Sequence, residues 1–353
     1  RAKVARLVGA NTVEGEEEIV VTSGATAGLN LLATAFGNAS QGRGGEAARR
    51  FAVKSGDEIV VSKAEHHSVL LPFQELAART GATLKWFDLD DEGRILANTA
   101  DEVITERTKI VAVTHVGNTT GAITDIAPIV KRAHEVGAVV VLDACQSVPH
   151  LKIDLHALDV DFAAWSAHKM YGPTGVGFLY GKREMLEALP PANFGGSMVE
   201  LAWMDQEAQY MAPPARFEAG TQPVAQVVAA GVAAEWLMNI GMENLEAHER
   251  VIAGELLKMG QIEGVRILGP HANERRIGTV AFEIEGVHPH DVGQFIDAQG
   301  IAIRVGHHCA QPVHRHFGVY ASNRASSGIY NCVEDAQALV EALKKVRPFF
   351  GVK

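Results

Sequence analysis

Seven short runs rich in β-branched and aromatic residues recur along the first half of the chain: EIVVTS (18–23), EIVVS (58–62), ATLKWF (82–87), KIVAVTH (109–115), AVVVLD (138–143), DFAAWS (161–166) and GVGFLY (175–180). Runs this short and this apolar on both faces read as fully buried strands. Amphipathic stretches of helical period lie between most of them, at 26–36, 68–79 and 126–136. Strand–helix alternation of this kind predicts an α/β fold: a seven-stranded, mostly parallel sheet flanked by helices. Ligands of such sheets bind beyond the C-terminal ends of the strands. The side chains just past each run are therefore where chemistry is expected.

The rhythm changes near residue 240. A helix over 225–239 precedes a second over 243–259, then GTVAFEIEG, IAIRVG and a closing helix over 334–346. This predicts a large domain spanning 1–239 and a smaller C-terminal α+β domain spanning 240–353. The segment 37–56, GNASQGRGGEAARRFAVKSG, reads as an exposed loop. The opening RAKVARLVGA reads as a helix, with a natural N-terminal piece expected ahead of it.

Composition narrows the class. Hydrophobic residues at 47% and charged residues at 21% suit a soluble enzyme. A formal net charge of -10 disfavours nucleic acid as a partner. No apolar run reaches membrane-spanning length. Three widely spaced cysteines, Cys145, Cys309 and Cys332, make no disulfide framework and suit a reducing, cytoplasmic setting.

SAHKMYGPTG (166–175) places Lys169 just beyond a strand and then denies it a long helix. The standard covalent role of such a lysine is a Schiff base with a carbonyl. Pyridoxal phosphate (PLP) is the commonest protein-bound aldehyde, and it asks for a lysine, a carboxylate for its ring nitrogen and a phosphate cup. Asp143 closes the strand 138–143 and supplies the carboxylate. SGATAGLN (23–30) is a strand end, a small-residue turn and a helix start, whose free N–H groups and Thr26 hydroxyl suit phosphate. Ser166 and His168 add donors. Singly, each has an ordinary reading as a solvated charge, a helix cap or a common turn. The ordered set on successive strand ends points to PLP.

SAHKMYGPTGVGFLYG, AEHHSVLLPFQ, LDACQSVPH, RFEAGTQ and RVGHHCAQP together resemble the SufS-type (group II) cysteine desulfurases, PLP enzymes of fold type I with the class V aminotransferase fold. The similarity runs in family order over nearly the whole chain. It implies that Lys169 binds the cofactor aldehyde, Asp143 the ring nitrogen and Gln146 the ring oxygen. His66 would stack on the ring and, with an ordinary imidazole pKa near ~6.5, shuttle protons. Phosphate contacts fall on Ala25, Thr26, Ser166 and His168. A further contact falls on Thr221 of a second copy, which implies a homodimer with shared active sites. The stretch NFGGSMVELAWMD matches a hairpin that reaches over the neighbouring site. Arg324 would bind the carboxylate of L-cysteine, with Asn118 beside cofactor and substrate and Arg304 assisting.

The same resemblance makes Cys309 the residue that accepts sulfur as a persulfide while alanine leaves. Free cysteines are usually buried small hydrophobes. A loop carrying His307, His308 and nearby Arg304 is a poor place to hide a thiol, and cationic neighbours favour thiolate. Three adjacent residues cannot easily aim at one tetrahedral zinc, so no metal is expected. Cys145 and Cys332 read as structural. GVHPHDV (286–292) resembles desulfurases served by a SufU-type zinc-containing sulfur acceptor, with His290 reaching the partner; a SufE-type acceptor is the alternative. The implied role is iron–sulfur cluster assembly. The rivals are a selenocysteine lyase or another PLP lyase of the same fold, of which those without a sulfur-accepting cysteine need none on this loop, and a non-catalytic scaffold, which would tolerate loss of Lys169, Asp143 or Cys309.

Overall fold

A computed structural model describes residues 1–10 and 18–352. All seven predicted runs form strands of one sheet: β1 (Ile19–Thr22), β2 (Glu58–Ser62), β3 (Thr83–Phe87), β4 (Thr108–Thr114), β5 (Val139–Asp143), β6 (Phe162–Ser166) and β7 (Gly177–Gly181). Their order is β1-β7-β6-β5-β4-β2-β3. Only β7 runs against its neighbours; the pairings among β2 to β6 are parallel. Val139 to Leu142 and Phe162 to Trp165 are at most 3% exposed, so the central strands are buried on both faces. That burial is why they read as continuous rather than alternating apolar runs.

Helices lie on both sides. Ala25–Ser40 crosses β6 and β7, His67–Thr80 packs on it and on β2, and Ala127–Glu135 covers β4 and β5. The first of these lies close to the sheet: a Cβ on Gly28 would be in ordinary contact, 3.5 Å, with the Cβ atoms of Ala164 and Leu179.

The segment 37–56 is exposed over 41–47, as expected, but it is partly helical and not a free loop. The helix runs on to Ser40, followed by Gly45–Ala48 and a 3₁₀ turn, Arg49–Phe51. Phe51 is 1% exposed and stacks on Phe36 at 5.6 Å. Phe51, with Ala48 and Val53, anchors the far end of this polar, glycine-rich string in the core, and composition averaged over the segment hid it.

A two-stranded hairpin follows, β8 (Val199–Leu201) and β9 (Gln209–Tyr210). The second sheet contains β10 (Val265–Leu268), β11 (Thr279–Ile284), β12 (Arg304–Gly306) and β13 (Ser322–Ser326), antiparallel in the order β10-β11-β13-β12. Helices Met242–Leu256, Pro289–Asp297 and Val333–Leu343 pack against it around a separate core that includes Ile252, Val280, Phe282, Ile296 and Leu339. The polar strand β13 is an inner strand, which the sequence reading left without an element.

Candidate active site

The turn after β1 is built for close approach. Gly24 has φ 149°, a conformation only glycine adopts readily. A Cβ on Gly177 of β7 would sit 2.5 Å from the Gly24 Cα, so the turn rests directly on the sheet. The Ala25 N–H donates to Ser166 Oγ at the end of β6 over 2.9 Å. The Thr26 hydroxyl lies 2.7 Å from Ser68 Oγ. The residue before this helix, Gly24, has no side chain to cap it, its first turn holds no acidic residue, and of its first N–H groups Ser166 takes that of Ala25. The helix's other free N–H groups are available to an anion.

Lys169 ends a 3₁₀ turn, Ala167–Lys169, whose first carbonyl accepts from both Met170 and Gly172 N–H groups. That doubly used carbonyl closes the turn before a helix can form, leaving the lysine at the strand end. Lys169 is half-buried, and no carboxylate pairs with it among the described residues. Asp143, 5% exposed, accepts from the Cys145 N–H over 2.9 Å.

These groups line one cleft of about 230 Å³, together with His66, Asn118, Gln146, His168, Arg304 and Arg324. The cleft also takes in Ser68, Thr114, Val116 and Cys145, which sequence reasoning did not assign to it. Ser68 was within reach: it opens the amphipathic stretch 68–79, two residues after His66. Thr221 is exposed and lies outside this cleft, and His290 is exposed at a helix start, stacked on His288 at 5.4 Å.

Burial sets the protonation states. It pushes His66 down to about 4, against the opposing charge of Asp143, so the ring is neutral at physiological pH. His66 Nδ1 accepts from the Ser68 N–H over 3.0 Å, which leaves the proton on Nε2. The expected imidazole of ordinary pKa is thus corrected: capping and burial commit this ring to one neutral tautomer. Burial pushes the Cys145 thiol up to about 12, with the Asp143 charge adding to it. Glu65, wholly buried beside His66 in sequence, is raised to about 8, chiefly by burial.

Two arginines face the cleft from the small sheet. Arg304 of β12 and Arg324 of β13 are direct cross-strand partners. Like charges at such positions repel unless an anion joins them. Burial, then Arg304, lowers Arg324 to about 10. Its Nη1 donates to the Asn118 carbonyl over 2.8 Å, Nε is buried without a partner, and no carboxylate meets it among the described residues. A planar cation so placed suits a ligand carboxylate.

Cys309 sits at the edge of this site, half-buried, with Sγ 4.0 Å from Arg304 Nη2. Its loop is fastened to the large sheet: His67 N–H donates to the Cys309 carbonyl at 2.8 Å, and Asn118 Nδ2 to the His308 carbonyl at 2.7 Å.

An amine without an ion pair among the described residues, a buried carboxylate on the adjacent strand end and a glycine-led helix start two strands away, all lining one cleft, fit PLP, and the fold is that of fold type I PLP enzymes. The profile of the family described as Aminotransferase class-V matches residues 1–339, and the chain belongs to that family. Its relatives place it in the cysteine desulfurase branch. A probable cysteine desulfurase of Mycobacterium leprae is 46% identical, covering 99% of this chain and 81% of that protein. One from Streptomyces coelicolor is 44% identical over 99% of this chain and 81% of that protein. The cysteine desulfurase CsdA of Escherichia coli, in an S-sulfonic acid form, superposes with a TM-score of 0.89 at 35% identity, covering 98% of this chain and 82% of that one.

Proposed function

We propose that this chain removes sulfur from L-cysteine, giving L-alanine and a persulfide on Cys309. The observation that carries the reading is Arg304, which lines the cofactor cleft and reaches the Cys309 thiol at 4.0 Å. A nucleophilic thiol beside a cation, on a loop tied to the cleft, is what transfer of a substrate sulfur requires.

Lys169 would bind PLP through its aldehyde, Asp143 through the ring nitrogen and Gln146 through the ring oxygen. His66 would lie against the ring, with Ala25, Thr26, Ser166 and His168 around the phosphate. Bound there, PLP supplies an electron sink at the substrate Cα. Arg324 holds the substrate carboxylate, and Asn118 orients Arg324 through its carbonyl. Lys169 takes a proton from Cα and returns one to the departing carbon. The Cys309 thiolate attacks the substrate sulfur; the new S–S bond forms as the Cβ–S bond breaks, with its electron pair left on carbon. One thiol and one cysteine thus give one persulfide and one alanine.

The working form in this reading is a homodimer, with Thr221 of a second copy completing the phosphate cup. Large exposed apolar side chains support it: Leu201, Trp203 and Met204 at the hairpin, and Val224, Val228, Val232 and Trp236 along one helix. The helical four sit at i, i+4 spacing on one face. The chain would divide near residue 240 into a large cofactor domain and a small domain bearing the persulfide. The sulfur would pass to an acceptor of SufU type, received at His290, for iron–sulfur cluster assembly in the cytoplasm. Three free cysteines suit that compartment.

Purified chain loaded with PLP should form alanine from L-cysteine, and Cys309→Ala should abolish it. Turnover that survives in Cys309→Ala would replace the desulfurase with a lyase of the same fold. A zinc-containing acceptor that stimulates wild type and not His290→Ala would support the partner assignment; equal stimulation of both would remove it.

A further inference from the structure

His308 and Cys309 have φ of 50° and 58°, two successive non-glycine residues in the left-handed region. Side chains avoid that region, and such residues persist only where their surroundings over-determine them. The surroundings lie directly beneath the loop. His314 Nδ1 is 3.0 Å from the Ala310 carbonyl oxygen, His314 Nε2 is 2.9 Å from Ser322 Oγ, and His308 Nε2 is 3.0 Å from the same Oγ. His308 and His314 are each 2% exposed and Ser322 is 0% exposed.

The donors and acceptors run in one direction. A carbonyl only accepts, so His314 Nδ1 carries the proton. Burial lowers the pKa of His314, so its ring is neutral and Nε2 accepts the Ser322 hydroxyl proton. The Ser322 oxygen is then left to accept, and His308 donates to it from Nε2. His308 Nδ1 has no proton to place, and it is the buried atom without a partner. Burial, then Arg324, pushes His308 down to about 3, in keeping with a neutral ring. A single hydroxyl thus ties the residue before Cys309 to the residue after it.

Ser322 and Arg324 share β13 at i and i+2, on the same face of the strand and about 6.7 Å apart along it. Both pair with β12, Ser322 with Gly306 and Arg324 with Arg304. One rigid strand therefore carries both the cation suited to a substrate carboxylate and the anchor of the thiol loop.

We propose that the His308–Ser322–His314 relay is a positioning device that fixes Cys309 at a set distance from Arg324 for uptake of sulfur. This rests on Cys309 being the sulfur acceptor. None of the three relay residues touches the reacting atoms; they act through the backbone of the loop.

The test uses the PLP-loaded enzyme in four forms: wild type, Ser322→Ala, Ser322→Thr and Cys309→Ala. Cofactor absorbance and melting curves establish that each is folded. Amide hydrogen exchange over 307–311 should quicken in Ser322→Ala and stay near wild type in Ser322→Thr, which keeps the hydroxyl. The kcat for alanine formation should fall on the order of tenfold to a hundredfold in Ser322→Ala with KM for L-cysteine held, as expected when a nucleophile is misplaced by a fraction of its reach. Unchanged exchange in Ser322→Ala overturns the relay as a clamp. Equal losses in the Ala and Thr variants assign the effect to packing and also overturn it. If Cys309→Ala is inactive and Ser322→Ala turns over like wild type, the positioning proposal fails alone. If Cys309→Ala keeps its activity, the reading beneath it fails instead.

Discussion

The His67 N–H donates to the Cys309 carbonyl oxygen over 2.8 Å, so the helix start beside His66 is bonded to the loop that carries the thiol. His67 is the first residue of the helix His67–Thr80. Proline is well tolerated at that position because its fixed φ suits a first turn. The preceding residue, His66, has φ -64° and ψ 148°, which proline accepts in a predecessor. His67→Pro thus removes the N–H and leaves the helix. We expect kcat to fall on the order of tenfold with KM for L-cysteine little changed. His67→Ala keeps the N–H and loses only the ring contact to the Gln311 N–H at 3.4 Å, and should be milder. Steady-state kinetics of the two variants check this; equal losses would mean that the ring, not the backbone bond, holds the loop.

Arg324 separates a binding role from a structural one. A buried arginine in a salt bridge destabilises the protein when truncated, because its partner is left charged. Arg324 has no such partner among the described residues and faces Arg304 instead. Arg324→Met should therefore leave the melting temperature level or higher. It should raise KM for L-cysteine by about 2–5 kcal/mol of lost binding, on the order of thirtyfold or more. A large drop in melting temperature with KM intact would mark Arg324 as a piece of structure.

The large sheet was legible because most of its strands are buried on both faces, so those runs stood out between amphipathic helices; the expected burial of β3 is corrected, since it is the sheet edge and Thr83 and Trp86 are exposed. Lys169, Asp143 and the turn at Ala25 were legible for the same reason: they follow those runs. β13 was not. Its residues Ser322 to Ser326 are mostly polar, and it is a strand because both backbone edges find partners in β11 and β12. The pairing of Arg304 with Arg324 follows from that register and leaves no local pattern. The neutral state of His66 was also out of reach, since its cause is burial and a bond to the Ser68 N–H.

The cysteines should differ in reactivity. Cys145 is buried and its thiol is pushed up to about 12 by that burial, so little of it is thiolate at pH 8. Cys332 is exposed at a helix start. Brief treatment of the folded protein with iodoacetamide should label Cys332 and spare Cys145, as read by peptide mass spectrometry. Labelling of Cys145 at a rate comparable to Cys332 would mean that the strand end opens, or that its thiol ionises, far more readily than its burial allows.

Glu65 predicts a pH dependence with a definite sign. Its side chain is 0% exposed; one oxygen accepts from Ser62 Oγ and the Thr114 N–H, and Oε2 has no partner. Burial, aided by the Asp143 charge, raises it from 4.5 to about 8 in the folded chain. Between those values the unfolded chain gives up the proton and the folded chain keeps it, so stability is fully present below 4.5 and is lost as pH rises towards 8. Glu65→Gln has the shape of the protonated acid and cannot ionise. In the cofactor-free protein its melting temperature should match wild type near pH 4 and exceed it near pH 8 by a few degrees, roughly. A variant less stable than wild type at pH 8 would mean that Glu65 is an ionised partner in the folded site, and the buried neutral carboxyl beside Asp143 would have to be given up.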